Sequence, residues 1–351
     1  MLERAVMTRI LVTGGAGYIG SHVALALKDS GHAVVVLDNL STGNRRVVPS
    51  DVVLIEGDVG DSQLMDRIIA DHRIDAVMHF AGSLRISESM RKPLEYYRNN
   101  TVASRTLIDS CIRGGVRHFV FSSTAAVYGI PTTVPITEDM PAEPISPYGT
   151  SKLMTEWVLR DAAAAHAFAY VSLRYFNVAG ADSRGRSGQL SADATHLIDV
   201  ACEVAVGKRP HIDVFGRDYD TPDGTCVRDY IHVSDLASAH VMALDYLIAG
   251  GTSLALNCGY GHGHSVTEVL SRVQRQANMP IDMRHASRRP GDPPILIADP
   301  SKLRQVLAWQ PRYDDLDVII RTALDWERKN SAKPGLAATV SPLARVSGRR
   351  S

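Results

Sequence analysis

The sequence predicts an α/β fold built on a doubly wound parallel sheet. Short β-branched and aliphatic segments alternate with helical stretches through the first half of the chain. A glycine-rich turn joins the first of these strands to the first helix, and polar residues follow the ends of later strands. This alternation is typical of parallel sheets covered by helices, whose ligands bind at the carboxyl ends of the strands.

The first strand, Arg9 to Thr13, leads into Gly14-Gly15-Ala16-Gly17-Tyr18-Ile19-Gly20 and a helical stretch from Ser21 to Ser30. In this strand, turn and helix order, backbone N–H groups and the helix N-terminus can receive a pyrophosphate. A glycine triplet alone is weak evidence. Its correct context on both sides predicts a dinucleotide site.

The second strand, Ala33 to Leu37, ends in Asp38, eighteen residues after Gly20. A carboxylate at this position accepts hydrogen bonds from the adenosine ribose and repels a 2′-phosphate. The sequence therefore predicts NAD rather than NADP, although the nearby Arg45 and Arg46 weaken that exclusion.

The third and fourth strands add polar and small residues at the same edge. Val52 to Ile55 leads to Asp58, which can accept from the adenine amino group or cap the next helix, and both interpretations stay open. The fourth strand, Asp75 to Phe80, is followed by Ala81 and Gly82, small residues that let a cofactor approach the backbone.

A long helix is predicted from Leu94 to Cys111, and a fifth strand, His118 to Phe121, precedes Ser122-Ser123-Thr124. The hydroxyl of Thr124 then lies at the carboxyl end of that strand, at the edge where ligands bind. Bonding to nearby backbone is the ordinary role of such a residue. The pair Tyr148 and Lys152, expected opposite Thr124, favours a role for its hydroxyl toward substrate.

Tyr148 and Lys152 are four residues apart, and Ser146-Pro147 is typical of a helix N-cap and first position. The two side chains then share one helix face, with Tyr148 in the opening turn. A nearby cation and the helix dipole predict a tyrosine pKa lowered from ~10 toward the working pH. Taken alone, a tyrosine and a lysine at this spacing usually lie on a solvated helix face. With the glycine turn and Thr124, it predicts a catalytic base.

Composition limits the possible partners. The chain has 351 residues, 45% hydrophobic, with 38 basic and 38 acidic residues, which gives no bulk attraction to nucleic acid or an anionic membrane. No apolar run approaches the ~18 residues of a membrane span, and Met1 to Thr8 lacks the apolar core of a signal peptide. Four scattered cysteines predict free thiols in a reducing cytoplasm, without disulfides or a metal site.

From Asn177 the periodicity loosens and loop residues increase. We expect a dinucleotide-binding domain over residues 8–176, a mainly substrate-binding domain over 177–330 with some segments returning to the first, and a disordered tail over 331–351. The predicted elements of the second half are the helices Val233 to Leu247, Ser265 to Ala277 and Leu316 to Arg328, and the strand Leu254 to Asn257.

A set of local motifs is spread over about residues 8 to 330. They are Thr13-Gly14-Gly15-Ala16-Gly17-Tyr18-Ile19-Gly20-Ser21-His22, Asp38-Asn39-Leu40, His79-Phe80-Ala81-Gly82, Lys92-Pro93-Leu94-Glu95-Tyr96-Tyr97, Asn99-Asn100, Ser122-Ser123-Thr124, Ser146-Pro147-Tyr148, Lys152, Arg174-Tyr175-Phe176-Asn177 and Val227-Arg228-Asp229-Tyr230-Ile231-His232-Val233. This set resembles the extended short-chain dehydrogenase/reductase superfamily and, within it, the UDP-glucose (UDP-galactose) 4-epimerase family.

The resemblance implies an NAD-binding Rossmann-type domain and a smaller C-terminal α/β domain that closes over a UDP-sugar. It implies catalysis by Thr124, Tyr148 and Lys152. The cofactor-binding residues that it implies are Gly14, Gly17, Tyr18, Ile19, Gly20, Asp38, Asn39, Asp58, Val59, Phe80, Ala81, Gly82, Asn99, Tyr148, Lys152 and Phe176. The implied substrate-binding residues are Thr124, Tyr148, Asn177, Leu197, Phe215, Arg228, Arg289, Asp292 and Leu296.

Ordinary structural roles compete with the substrate assignments. Arg228 and Arg289 suit a diphosphate, although surface arginines are usually solvated. Phe215 can stack on uracil or fill the core. Asp292 can accept from a ribose or belong to a turn.

The implied activity is transient oxidation at hexose carbon 4 through a 4-keto intermediate. A 4,6-dehydratase would need an Asp-Glu pair after the threonine, where this chain has Ala125 and Ala126. Other UDP-sugar 4-epimerases and an NAD-sensing binding protein stay as alternatives. Leu296 replaces family residues of other sizes and leaves use of N-acetylated sugars open, and Leu84 replaces a lysine of some members. The family also implies a homodimer through the helices Leu94 to Cys111 and Lys152 to Ala165.

Overall fold

A computed structural model describes residues 7–190, 195–289 and 292–331. Its strands are β1 Arg9–Thr13, β2 Ala33–Asp38, β3 Val53–Glu56, β4 Ala76–His79, β5 His118–Thr124, β6 Ala169–Tyr175, β7 Asn177–Ala179, β8 Ile212–Phe215, β9 Val227–Arg228, β10 Tyr230–His232, β11 Leu254–Cys258, β12 His264–Ser265, β13 Met283–Ala286 and β14 Ile295–Leu296. Its α-helices are α1 Tyr18–Asp29, α2 Ser62–His72, α3 Ile86–Ser89, α4 Pro93–Tyr96, α5 Ala103–Arg113, α6 Pro147–Ala165, α7 Leu197–Ala205, α8 Val233–Ile248, α9 Val266–Ala277, α10 Ser301–Leu307 and α11 Leu316–Ser331.

The main sheet has seven parallel strands in the order β11-β6-β5-β4-β1-β2-β3. Successive strands run outward from β1 in one direction to β3 and in the other through β4. The strand order therefore reverses between β1 and β4, which is where open sheets of this kind bind nucleotides. The predicted doubly wound parallel sheet is confirmed.

Strand β1 shows why the sheet forms here. Ile10, Leu11 and Val12 are all fully buried. Ile10 and Val12 face one hydrophobic cluster together with residues of α1 and α8, and Leu11 faces the other with residues of α2 and α5. An aliphatic strand without polar alternation is what a sheet covered by helices on both faces requires.

The second half of the chain contributes smaller sheets and one strand of the main sheet. Strand β9 pairs with β12 and β14, β8 pairs with β13, and β7 pairs with β10. Strand β11 lies at the edge of the main sheet beside β6. The domain boundary at residue 176 stays a prediction.

The predicted continuous helix from Leu94 to Cys111 is wrong. The structure has the short helix α4, a π-helical segment over Tyr97–Val102, and then α5. Wide π-helical turns often occur at functional sites, because they redirect side chains within a helix. Here the wide turn includes Asn99 and Asn100.

The other predicted elements of the first half occur within about three residues of their predicted bounds, but α1 begins at Tyr18 rather than Ser21. Strand β6 and helix α7 are absent from the sequence prediction. The helix α11 extends to Ser331, and residues 332–351 of the predicted tail lie outside the described residues. Within the described ranges, no helix combines the length and apolar character needed to cross a membrane.

Candidate active site

The glycine turn lies against the end of β4. Gly14 has φ +69°, and a Cβ at this position would lie 2.6 Å from the backbone nitrogen of Ala81. At Gly20 a Cβ would collide with the carbonyl oxygen of Gly14. Glycine is therefore required at both positions. The turn has no side chains at these points, and its backbone leads directly into the N-terminus of α1, whose first residues are Tyr18 and Ile19.

Asp38 lies beside this turn at the end of β2. Its carboxylate accepts hydrogen bonds from the backbone nitrogen of Ala16 at 2.9 Å and from that of Leu40 at 2.8 Å. Burial raises the pKa of Asp38, and the two backbone donors act in the opposite direction. The carboxylate is thus fixed in position next to the turn, as the prediction for a ribose contact requires.

Asp58 does not cap the following helix. The N-cap of α2 is Asp61, whose side chain accepts from the backbone nitrogen of Leu64. Asp58 accepts from the side chain of Asn39 at 3.2 Å and from the backbone nitrogen of Gly60 at 2.8 Å. The capping interpretation is therefore wrong, and Asp58 and Asn39 form a pair at the ends of β3 and β2. The adjoining Val59 is buried.

These residues fit the dinucleotide that the sequence predicts. The glycines let the turn pack directly against the backbone after β4, and the first turn of α1 begins at this turn with its N-terminal N–H groups. The Asp38 carboxylate lies beside the glycine turn. Together they offer donors for a pyrophosphate and acceptors for a ribose.

Tyr148 and Lys152 lie in the first turns of α6, as predicted. The Ser146 side chain accepts from the backbone nitrogen of Gly149 at 3.2 Å and caps the helix. The Lys152 ammonium donates to the carbonyl oxygen of Ser122 at 2.8 Å and lies 4.9 Å from the centre of the Phe121 ring. The lysine is therefore anchored to the end of β5.

Thr124 lies opposite Tyr148. Its hydroxyl accepts from the backbone nitrogen of Ala126 at 3.1 Å and also interacts with the Tyr148 phenol. The structure thus brings together the three residues predicted to be catalytic. They meet where β5 ends and α6 begins.

The expected lowering of the Tyr148 pKa is wrong for this structure. Burial raises the pKa of Tyr148, and the hydrogen bond with Thr124 opposes the rise. Burial also lowers the pKa of Lys152 to about 8, with the nearby Glu156 acting in the opposite direction. The sequence prediction counted the cation and the helix dipole but not the loss of water around both groups.

Gly82 lies between the glycine turn region and Lys152. A Cβ at Gly82 would lie 2.9 Å from Oδ1 of Asn100 and 3.8 Å from the Lys152 ammonium. The Asn99 side chain donates to the hydroxyl of Ser83 at 3.1 Å, within the same loop. The predicted cofactor residues after β4 therefore lie next to Lys152, one of the residues that the sequence predicts to be catalytic.

Asn100 has a role that the sequence analysis missed. It is 1% exposed, accepts from the backbone nitrogen of Ser83 at 2.7 Å, and donates to the hydroxyl of Ser151 at 3.0 Å. It thereby ties the loop after β4 to helix α6. The only signal for it was its place in the Asn99-Asn100 pair, and the π-helical turn that directs it inward cannot be read from residue types.

The predicted substrate residues form a second group around Arg228. This buried side chain forms an ion pair with Asp292 and donates to the carbonyl oxygens of Val227 and Pro293, both at 2.8 Å. Leu296 lies beside Arg228 in the parallel pairing of β14 with β9. Arg228 therefore fixes the Asp292 carboxylate and the backbone at Pro293, and its predicted contact with a diphosphate stays a prediction.

Arg289 and Phe215 are in contact. The Arg289 guanidinium lies 3.9 Å from the centre of the Phe215 ring, which is half-buried. A cleft of about 320 Å³ is lined by Arg289 and Asp292, together with Ile130, Tyr219, Arg288, Pro293 and Pro294. Phe215 is therefore not simply a core residue, because a cation covers one face of its ring beside an open cleft.

Phe176, Asn177 and Leu197 occupy different surroundings. Phe176 is buried in a small cluster against which Leu296 packs, so it links the two groups. The backbone nitrogen of Asn177 donates to the carbonyl oxygen of Asp229 at 3.0 Å. Leu197 begins α7, a helix that packs against β8, and its side chain contacts the main core.

Comparison with known proteins places the chain among its relatives. Residues 10–259 match the model of the NAD dependent epimerase/dehydratase family. A UDP-glucose 4-epimerase of Azospirillum brasilense is 57% identical over 335 residues, covering 95% of this chain and 96% of the relative. The structure of UDP-glucose 4-epimerase from Brucella ovis in complex with NAD has a TM-score of 0.88 and 44% identity, covering 91% of this chain and 98% of that one.

A third relative is the UDP-glucose 4-epimerase from Bifidobacterium longum, solved in complex with NAD+ and UDP. It has a TM-score of 0.87 and 40% identity, covering 92% of this chain and 99% of that one. The family match spans most of the chain, and the relatives match it nearly end to end. The chain therefore belongs to the NAD dependent epimerase/dehydratase family.

Proposed function

We propose that this protein is a UDP-glucose 4-epimerase that interconverts UDP-galactose and UDP-glucose with NAD as its cofactor. One observation carries the proposal: Thr124, Tyr148 and Lys152 meet in a buried site next to a glycine turn that fits a dinucleotide. The 57% identity to an Azospirillum brasilense UDP-glucose 4-epimerase supports the same substrate.

Bound NAD would supply the chemistry of removing and returning a hydride at hexose carbon 4. The bare backbone at Gly14 and Gly20 and the N-terminus of α1 would hold its pyrophosphate. Asp38 would accept from its ribose, and Phe80, Ala81 and Gly82 would line its path toward Lys152. The epimerase returns its hydride in every turnover, so we expect the protein to keep its cofactor through purification.

Tyr148 would take the proton of the 4-hydroxyl as carbon 4 is oxidised, and return it when carbon 4 is reduced on the other face. Thr124 would hold the reacting oxygen, since its hydroxyl lies beside the phenol. Because burial raises the pKa of Tyr148, the phenolate needs a positive charge close by. Lys152, anchored at the Ser122 carbonyl, would supply it.

The nucleotide end of the substrate would bind in the cleft lined by Arg289 and Asp292. Arg289 would contact the diphosphate, Arg228 would support Asp292, and Phe215 would offer a ring face to uracil. Firm binding of the UDP part keeps the substrate in place while a loosely held hexose turns. That freedom is what inversion at carbon 4 requires.

The dehydratase alternative lacks its chemistry at this site. Ala125 and Ala126 follow Thr124 directly in a short 3₁₀ segment and carry no group that can transfer a proton. An elimination across carbons 5 and 6 needs an additional acid and base. Incubation of the purified protein with UDP-N-acetylglucosamine, followed by separation of the nucleotide sugars, would establish whether Leu296 permits N-acetylated substrates.

We also propose a homodimer and a cytoplasmic location. Val102 and Trp157, on the neighbouring π-helical segment and α6, are 57% and 47% exposed, which favours an apolar contact between copies of this helix pair. A Trp157→Glu variant should sediment as a monomer if this surface forms the contact. The four cysteines are free and buried, which suits a reducing compartment.

The decisive experiment incubates purified protein with UDP-galactose, without added cofactor, and separates the nucleotide sugars. Appearance of UDP-glucose would support the proposal. A 4-keto-6-deoxy sugar would instead indicate a dehydratase. Absence of turnover even with NAD added would favour a binding protein.

A further inference from the structure

The buried face of α6 carries a third residue in line with the catalytic pair. Tyr148, Lys152 and Glu156 follow one another at intervals of four residues, and such residues share one helix face. Glu156 is only 6% exposed. The mechanism proposed above gives it no role, yet burying a carboxylate is costly unless other groups compensate.

Each of these helix residues meets a different residue at the end of β5. Tyr148 interacts with the hydroxyl of Thr124, and Lys152 donates to the carbonyl oxygen of Ser122. The hydroxyl of Ser123 donates to the Glu156 carboxylate. Three consecutive strand residues are therefore tied to three successive turns of one helix.

Arg174 holds the Glu156 carboxylate from the neighbouring strand β6. Its Nε lies 3.0 Å from Oε1 and 3.2 Å from Oε2, and its Nη1 donates to the hydroxyl of Tyr128 at 2.9 Å. Arg174 pairs in register with Ser123. A guanidinium that donates to both oxygens leaves the carboxylate little freedom to move.

Glu156 differs from the other ionisable groups around Lys152 in the charge that it carries. Glu156 of α6 and His79 of β4 interact electrostatically with Lys152. Tyr148 lies one turn away on the same helix face, the Tyr175 hydroxyl bonds to that of Ser122, and Arg174 pairs with Glu156. Burial lowers the pKa of His79 to about 3 and raises the pKa of Tyr175, so both are neutral near pH 7. Burial also raises the pKa of Tyr148, so before the substrate gives up its proton Glu156 is the member of this set that supplies negative charge to the lysine.

We propose that Glu156 is a positioning residue for the catalytic pair: it fixes the end of β5 against α6 through Ser123, and its charge keeps Lys152 in the ammonium form. The proposal rests on the function proposed above for the consequences in turnover. Its effect on Lys152 itself can be measured without any turnover.

The first measurement follows the protonation of Lys152 by NMR in protein labelled at the lysine ε-carbon, with a Lys152→Met variant to identify the signal. The wild-type midpoint is expected near pH 8. In Glu156→Gln, which keeps the shape and removes the charge, we expect the midpoint to fall by roughly one pH unit. An unchanged midpoint would overturn the proposal.

Two further variants separate charge from shape. Glu156→Asp keeps the charge and should hold the midpoint within a few tenths of a pH unit, so a shift as large as that of the glutamine variant would contradict an electrostatic role. Glu156→Gln leaves the buried Arg174 without its partner and can fail to fold. In that case Glu156→Gln with Arg174→Gln is compared with Arg174→Gln alone, so that both proteins lack the guanidinium. The midpoint should be lower in the double variant, and equal midpoints would overturn the proposal.

Turnover supplies the second readout. In Glu156→Gln the alkaline limb of the pH profile of kcat should shift to lower pH together with the Lys152 midpoint. KM for UDP-galactose should change little. Ser123→Ala, which keeps the charge, should lower kcat several-fold and leave that limb in place. If the wild-type protein does not epimerise UDP-galactose, the proposed function fails, whereas the NMR titration still decides whether Glu156 controls Lys152.

Discussion

The ammonium of Lys152 donates to the carbonyl oxygen of Ser122 at 2.8 Å. This contact fixes the lysine to the strand end that carries Thr124, one helical turn from Tyr148. A positive charge is thus held at the sheet edge, although burial removes much of the water that would otherwise solvate it. The surroundings of the phenol and the lysine are not those of a solvated helix face, and they fit the proton transfer proposed for Tyr148.

Replacing Tyr148 by phenylalanine should lower kcat by about 10²–10⁴-fold, because the variant lacks the hydroxyl that exchanges the proton. The fold and the binding of UDP should be unchanged, since the ring is retained. Conversion of UDP-galactose gives the rate, and calorimetric titration with UDP gives the affinity. Tyr246→Phe, whose hydroxyl contacts Thr252 on the surface, is the matched control and should keep full activity. A near-normal rate in Tyr148→Phe would remove this residue from the mechanism.

Asp38→Asn should weaken NAD binding by about 10- to 100-fold and narrow the preference for NAD over NADP. The amide loses the charge that repels a 2′-phosphate, and its single oxygen cannot serve both Ala16 and Leu40. Cofactor extracted from purified protein and titrations with NAD and NADP would measure both effects. Asp51→Asn, at an exposed ion pair with Lys28, should change neither. Equal discrimination in wild type and Asp38→Asn would show that this carboxylate does not select the cofactor.

Arg228→Met should weaken UDP binding by about 10- to 100-fold, because loss of the guanidinium releases Asp292 and the carbonyl oxygen of Pro293 next to the cleft. Titration of the folded variant with UDP measures the loss, and its thermal midpoint reports how far the support itself depends on Arg228. Arg284→Gln, at an exposed ion pair with Asp282, is the control. Unchanged affinity in Arg228→Met would show that Asp292 needs no such support.

Local sequence predicted the parts of the site that local structure determines. The glycine turn, the Asp38 position and the Tyr148-to-Lys152 spacing each depend on one strand or one helix start, and each lies where the sequence placed it. Fold class followed for the same reason, because alternating buried strands and helices leave few arrangements.

The features that the sequence did not predict depend on contacts between distant segments. Arg289 covers the Phe215 ring, and the pKa of Tyr148 is raised by packing that only the folded chain produces. The wide turn at Asn99 is also set by tertiary contacts, through the bonds of Asn100 to Ser83 and Ser151. Residue types and spacing carry little information on any of these.

Acid should destabilise this protein well above the pH at which its carboxylates titrate. Burial lowers the pKa of four histidines from 6.5 to about 4 or about 3; they are His22, His79, His232 and His240. Below pH 6.5 the unfolded chain therefore binds protons that the folded chain does not, so the free energy of unfolding falls as the pH falls toward 4. Each histidine contributes a loss of about 2 kcal/mol at pH 5. Urea unfolding at pH 7.5, 6 and 5 would measure the trend.

His240→Phe tests one of these contributions. The imidazole lies 4.9 Å from the Phe80 ring, its Nδ1 bonds to the Leu236 carbonyl, and its buried Nε2 has no hydrogen-bond partner within the part of the chain that the structure describes. Phenylalanine keeps the ring contact and removes the titrating group, so stability should depend less steeply on pH between 6.5 and 5. His166→Gln, an exposed change, should leave that dependence unaltered. If His240→Phe is as acid-sensitive as the wild type, burial of this neutral imidazole is not a source of the acid sensitivity.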